Sequence, residues 1–547
     1  MSPFTDLSVL IIEPNAGMRA SMHNMLNQCG ITKIDHALGS GSAIAPIKAK
    51  NFDLVMCEYT LGDGQDGQQL LEDLRHNKLI PLSTMFFIVT AECSLQKVVG
   101  AAELTPSDYI LKPFTADTLQ KRLTRAVERR EALLPVYRLM EQGSLRQAIE
   151  ACIAGEEQDT QHIAAFQRLR ADLHFTLGEP KIAEVLYAAL FKQHAVAWAG
   201  LGLAKSYVLQ DRLHEAEDFL TSLVAQHPHF LEAYDWLAKI HEARGQLPQA
   251  QRILADAAAI SPHAVRRLRR LGDVATQTGD IATAERAFMQ VVSKSRFSEF
   301  RDPEDHVRLV RALVAKDDTQ QAAAVIRDLA KVMGSSKKGD TCRALSAAIV
   351  HAHTGDSARA VTELGNAVDA CRGSVGVSAE IKMALAERCL AHDLEAGASE
   401  VMLEVMSNAP DACAQAKAMA IFKHAGRNDL ADSIVAESRR CVVALVSSGA
   451  EKAKQGDFRG AVALMTEAVQ KLPDNPQVVF NAAVAALKCL ENLGWDLRIS
   501  EQARSLIANA RRLDPGNPRL APLAELYQVI ARKYGPAQST VASTVAR

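Results

Sequence analysis

The side chains able to do chemistry fall into three sets. Ten cysteines are scattered along the chain with no Cys-x-x-Cys pair and no histidines at zinc-binding spacing. They read as small apolar side chains kept reduced in a cytosol. A second set sits at the ends of short apolar runs. Glu13 and Pro14 follow Val9 to Ile12, Glu58 follows Leu54 to Cys57, Thr90 follows Phe86 to Val89, and Lys112 follows Tyr109 to Leu111. The third is a basic run from His263 to Arg270 that includes Arg266 and Arg269. Its guanidinium forks suit an acidic peptide, and the same run also fits a solvated helix face paired with Glu232 and Asp235. No P-loop, nucleophile elbow, His-Glu-x-x-His or dinucleotide fingerprint occurs, so no enzyme is expected.

The elements that must position these residues change character near residue 130. Before it, the apolar runs are separated by helix-length segments such as Met18 to Gln28 and Gln68 to His76. Continuous runs of that kind predict buried parallel strands with crossover helices, a doubly wound α/β domain. After it, Ala, Leu, Arg and Glu dominate and a period appears. Leu203, Leu237 and Leu271 are 34 apart, as are Ala204, Ala238 and Gly272, then Asp211, Gly245 and Gly279, then Ala216, Ala250 and Ala284. Small residues let paired helices approach, Gly or Asp permits the turn, and Pro228 and Pro262 stop the second helix. A five-residue step from turn glycine to alanine recurs at Gly143, Gly178, Gly355, Gly426 and Gly456. This period resembles the tetratricopeptide repeat (TPR), which implies stacked helical hairpins. About eleven hairpins are expected over 131–534, with a disordered tail at 535–547.

Residues 1–130 resemble a response-regulator receiver domain. The segments that carry this are Val-Leu-Ile-Ile-Glu-Pro-Asn from Val9, Phe-Asp-Leu-Val-Met-Cys-Glu from Phe52, Phe-Phe-Ile-Val-Thr-Ala-Glu from Phe86 and Asp-Tyr-Ile-Leu-Lys-Pro-Phe from Asp108. The fold expected is therefore a flavodoxin-like α/β receiver domain followed by an all-α TPR superhelix. The resemblance implies an acidic pair for Mg²⁺, an aspartate that takes a phosphoryl group, and a Thr and Lys that bind it. Thr90 and Lys112 keep the last two roles, Tyr109 holds the aromatic switch position, and Lys112-Pro113 matches a cis peptide. The three acid positions hold Glu13, Pro14 and Glu58. Proline cannot ligate a hard ion, and Glu58, one methylene longer than Asp, reaches toward Thr90 and Lys112. A pseudo-receiver that neither binds Mg²⁺ nor takes a phosphoryl group is expected, with Glu58 mimicking the modified state or forming only a structural pair with Lys112. The alternative is a phosphorylation-competent regulator that uses Mg²⁺ and has the repeats as its output. Asp63 and Asp66 in the following loop read as turn residues.

In tetratricopeptide repeats the first helix of each unit lines the groove. The resemblance places Trp198, Leu201, Lys205, Lys239, Arg266 and Arg269 there, an apolar wall beside a basic one suited to a protein partner with an acidic segment. A sensor kinase or a receiver partner fits the first domain. Lys+Arg 62 against Asp+Glu 64 gives a charge of -2, which argues against nucleic acid, and no run is long and apolar enough for a membrane span. With no signal-peptide pattern at the start, a cytoplasmic signalling adaptor is expected. Residues 115 to 130 are expected to end the receiver, with Pro135 opening the first repeat helix after a very short linker.

Overall fold

A computed structural model describes residues 4–61, 66–91, 106–159, 161–262, 264–296, 298, 301–332, 336–374, 376–514 and 516–534. Asp63, His263 and the segment 535–547 lie outside the described residues. The chain divides into two units, Met1–Val325 and Ile326–Arg547.

The first unit begins with a five-stranded parallel sheet of β1 (Ser8–Ile12), β2 (Lys33–Ala37), β3 (Leu54–Glu58), β4 (Met85–Thr90) and β5 (Asp108–Leu111), in the order β2-β1-β3-β4-β5. The central strands β1, β3 and β4 are apolar at nearly every position because both faces of the sheet are covered. One face packs Val9, Ile11, Met56 and Phe87 beneath α1 (Ala16–Gln28), and the other packs Leu10, Ile12, Val55 and Phe86 beneath α2 (Ser40–Ala49) and α3 (Gly67–His76). The polar residues Glu13, Glu58, Thr90 and Lys112 all fall at the carboxyl ends of strands, where a doubly wound sheet forms its crevice.

The junction corrects the expected linker. A single helix, α4 (Ala116–Glu141), runs from the receiver into the repeats, and Pro135 lies inside it rather than at the start of a new helix. Pro135 reads as a helix start from sequence because proline is favoured in a first turn. Here Pro135 and Glu131, whose carbonyl loses its hydrogen bond to residue 135, are both exposed, so water satisfies the freed oxygen. Arg130 secures this helix to the sheet. It bonds Asp53 through Nη2 and the Ser83 carbonyl through Nε at 2.9 Å, while Asp53 also accepts from Ser8 N at 2.9 Å.

Beyond α4 the chain is helical hairpins, and the sequence columns take physical form. The turn residues Asp211, Gly245 and Gly279 all have positive φ, at 60, 70 and 79°. Ala216, Ala250 and Ala284 are fully buried between paired helices. In the second unit the regular alternation is broken. Helix Asn428–Lys454 is long enough to serve two successive hairpins, and Ser407 and Asn408 bond Asn475 and Asp474 directly, past helix Ala412–His424.

Close packing at the small column gives a test. A Cβ at position 272 would fall 2.5 Å from Phe288 Cε1, and Phe288 is itself buried. Gly272→Ala should therefore lower repeat stability by about 1–3 kcal/mol in urea denaturation, despite alanine's better helix propensity. Adding Phe288→Leu, which withdraws the ring, should recover part of that loss.

Candidate functional site

The crevice at the strand ends is organised by one cation between two acids. Glu13 leaves β1 almost fully buried, and Glu58 ends β3. Lys112, just after β5, places its ammonium 2.7 Å from Glu13 Oε2 and in direct contact with Glu58 Oε2. The remaining oxygens are also engaged. Glu13 Oε1 accepts from the Asn15 amide at 2.9 Å, and Glu58 Oε1 accepts from the Thr60 amide at 3.2 Å. Asn15 in turn caps α1 by accepting from Met18 N, so the helix start holds the glutamate in place.

The electrostatics follow from that arrangement. Burial alone would lower the Lys112 pKa, but the hydrogen bonds it donates to Glu13 and Glu58, with their charges, outweigh it and the pKa is raised. Cys57, next to Glu58, is pushed well up by burial and then by the charges of Glu58, Asp66 and Glu13, which leaves it an inert thiol. Thr90 is buried at the end of β4, Tyr109 is half-buried against the α3 side of the sheet, and Lys112-Pro113 is cis. Pro14 is exposed and offers no side-chain oxygen.

The residue types fit a Mg²⁺ site poorly. A hard ion needs several oxygens, and the two carboxylates present are bound by the lysine ammonium and by backbone amides. Among the described residues no group of three or more His, Cys, Asp or Glu is placed to hold a metal.

The expected groove residues separate into different roles. Leu201 requires a correction, because it is only 2% exposed and packs with Leu220, Leu223 and Leu237, so it is a core side chain. It sits where helix Ala197–Leu209 is covered by its own hairpin partner and the next repeat. Lys205 and Arg269 lie on inner helices but are committed to inter-repeat ion pairs. Lys205 Nζ is 2.6 Å from Glu232, and Arg269 forms a two-pronged pair with the fully buried Asp305 at 2.6 and 2.7 Å. Arg267 and Arg270 pair in the same way with Asp235 and Glu242 of the preceding repeat. Trp198 is half-buried under the Arg168 guanidinium, 5.0 Å from its ring centroid.

Lys239 and Arg266 remain exposed, and among the described residues neither has a carboxylate partner. Lys239 lies 4.4 Å and Lys205 5.3 Å from the Trp236 ring centroid, so Trp236, which position counting passed over, sits beside both lysines. Burial, followed by the nearby Arg270, lowers the Lys239 pKa. The second unit has a larger groove of about 1490 Å³, but its cations Arg372, Lys382, Lys417, Lys471 and Arg512 are balanced by the acids Glu400, Glu404, Asp411, Glu467 and Asp474, which gives it no net charge.

Comparison with known proteins agrees with this architecture. Residues 9–124 match the family profile of the response regulator receiver domain, and residues 207–271 match that of the tetratricopeptide repeat. The chemotaxis protein CheY-3 of Vibrio cholerae is 29% identical over 127 residues, which is 23% of this chain and 94% of that protein. The chemotaxis protein CheY of Pseudomonas aeruginosa is 27% identical over 123 residues, 22% of this chain and 98% of that protein. Among solved structures, a tetratricopeptide repeat protein from Parabacteroides merdae is 15% identical, with 47% of this chain and 97% of that chain covered and a TM-score of 0.30.

Lys112 offers a direct test of the pocket. Lys112→Met leaves two glutamates facing each other and should cost about 3–5 kcal/mol of receiver stability, with Glu58→Gln in the same chain restoring part of it. The raised pKa sets the sign of the pH dependence. The lysine's contribution is fully present below its unfolded pKa of about 10.4 and is lost as pH rises through the higher folded value. The stability difference between wild type and Lys112→Met should therefore disappear on the alkaline side, as read by denaturation at stepped pH.

Proposed function

From a chain that joins a response regulator receiver domain to tetratricopeptide repeats, an architecture of two-component-type signalling with a protein-interaction domain, we propose a non-enzymatic adaptor whose receiver does not use phosphoryl transfer. The observation that carries the proposal is the Glu13–Lys112–Glu58 bridge. Phosphoryl transfer to a receiver needs an acceptor carboxylate free to attack, a metal to offset charge, and a lysine free to meet the product. In this chain the acceptor position and the lysine neutralise each other, and Pro14 removes a ligand. The ammonium already has a carboxylate where it would otherwise meet a phosphoryl group, so the receiver serves as a fixed docking module for the array.

The array is the surface that takes protein partners. Lys239 and Arg266 are exposed cations of the array, with Trp236 beside Lys239, and these suit an acidic segment carrying an apolar anchor. Lys205 and Arg269 contribute to the local field, but their ion pairs must be kept for the repeats to stack. A sensor kinase or another receiver is a fitting partner for the first domain by binding alone.

Intact-mass spectrometry after incubation with acetyl phosphate and Mg²⁺ tests this reading. The wild-type chain should show no added phosphoryl mass, and a beryllofluoride mimic should leave the signals of Glu13, Glu58 and Thr90 unshifted. A variant carrying Pro14→Asp and Glu58→Asp restores the missing oxygens and shortens the acceptor, so it should gain the modification. Stoichiometric labelling of the wild type at Glu58 or in its loop would sink the proposal.

A further inference from the structure

The basic wall does not face open solvent along its whole length, because the receiver lies against one end of it. Helix α3 and the helix pair Val265–Thr278 and Ile281–Ser295 enclose a cavity of about 190 Å³. Its charged and titratable lining is Glu72, Asp73 and His76 from the receiver, and Arg266, Arg269, Lys294 and Asp302 from the repeats. Asp73 Oδ2 accepts a hydrogen bond of 2.6 Å from Ser298 Oγ, and Ser298 is buried. The His76 pKa is lowered by burial and then by Arg266, which places that guanidinium within the field of α3. Two acids of α3 therefore face three cations and one acid, Asp302, of the repeats across a small, partly open space, and a short hydrogen bond closes one side.

We propose that the acidic end of α3 is a built-in occupant of the repeat array's basic wall. Glu72 and Asp73 stand where an acidic partner segment would reach Arg266, and the Asp73–Ser298 bond latches them there. Three further features make the contact specific. First, α4 is continuous and clamped by Arg130, so the receiver is held close to the array and α3 acts at a high effective concentration. Second, the start of α3 is fixed to the pocket strand. Gly67 N bonds the Tyr59 carbonyl at 2.7 Å, and a Cβ at Gly67 would fall 2.5 Å from the Glu58 carbonyl, so β3 and α3 move together. Third, Lys294 interacts electrostatically with Asp66, the residue that caps α3.

Occupancy of the wall is then a gate. The array accepts an acidic segment at Arg266 once α3 lifts, and a partner that pulls on α3 or on the β3 end opens the site. This inference deepens the adaptor reading, but it concerns docking rather than phosphoryl transfer, so its failure and the failure of that reading are separate results.

The test uses the full chain carrying Asp73→Asn and Ser298→Ala, compared with wild type by hydrogen–deuterium exchange. Exchange should rise at least about fivefold in segments 67–77 and 265–278 while the strands β1, β3 and β4 stay protected, which also verifies folding. An octaglutamate peptide, used as the probe, should bind the variant at least about fivefold tighter than wild type, and Arg266→Ala added to the variant should remove the gain. Wild type alone gives an independent reading, since raising NaCl screens the charges and should loosen the same two segments. Unchanged exchange in the variant, or a probe affinity equal to that of wild type, would overturn the proposal.

Discussion

The continuous helix Ala116–Glu141 is the constraint on which the first unit depends. A receiver joined to repeats by a flexible linker would sample many orientations, and no surface of it would meet the array reproducibly. A helix transmits orientation because each residue fixes the next through the i to i−4 ladder. Arg130 adds a second restraint, tying the helix to Asp53 and Ser83 at the end of the sheet opposite the Glu58 pocket. With one end of the sheet fixed to α4 and α3 rooted at the other, the direction in which α3 points is set by the fold. Its approach to the Val265–Thr278 helix follows from that geometry and from complementary charge.

The pocket and the array solve similar electrostatic problems. In both, a cation that could receive a ligand has been given an internal acid. Lys112 has Glu13 and Glu58, Lys205 has Glu232, and Arg269 has Asp305. Removing charged groups from water is costly, and each pair recovers that cost only while its geometry is kept. Such pairs hold neighbouring elements in register, strand end to strand end in the receiver and repeat to repeat in the array. They also subtract those cations from the recognition surface, which leaves Lys239 and Arg266 as the inner-face cations able to discriminate among ligands by charge.

What the sequence made legible was local or periodic. The turn columns at Asp211, Gly245 and Gly279 need positive φ, and the alanine columns need close approach, so each residue type reports its own backbone or packing requirement. The pocket residues were legible because each lies at or just past the carboxyl end of a strand, where the crevice of a parallel sheet must form. What was not legible depends on partners far away in sequence. Leu201 counts as a groove position by repeat register but is covered by Leu220 and Leu237. Arg269 looks like a free cation until Asp305 is placed opposite it, and nothing near Asp73 points to Ser298. Pro135 misled because its missing N–H suits a first turn but is also tolerated inside a helix where the unpaired carbonyl of Glu131 lies at an exposed position.

These facts bear on how a degenerate receiver can still be informative to its partners. A phosphorylated receiver changes state by altering the charge at one strand end, and on the proposed reading the Glu13–Lys112–Glu58 bridge holds that charge fixed. State can then change only through contacts made elsewhere, and the contact must be weak enough to break and specific enough to re-form. The α3 seat is polar: the Asp73–Ser298 hydrogen bond and a cavity lined by charged side chains hold it. A wide hydrophobic contact would have made the two folds a single rigid body with no accessible second state. On the proposed reading, the polar character of the seat is therefore what gives the receiver a switchable surface.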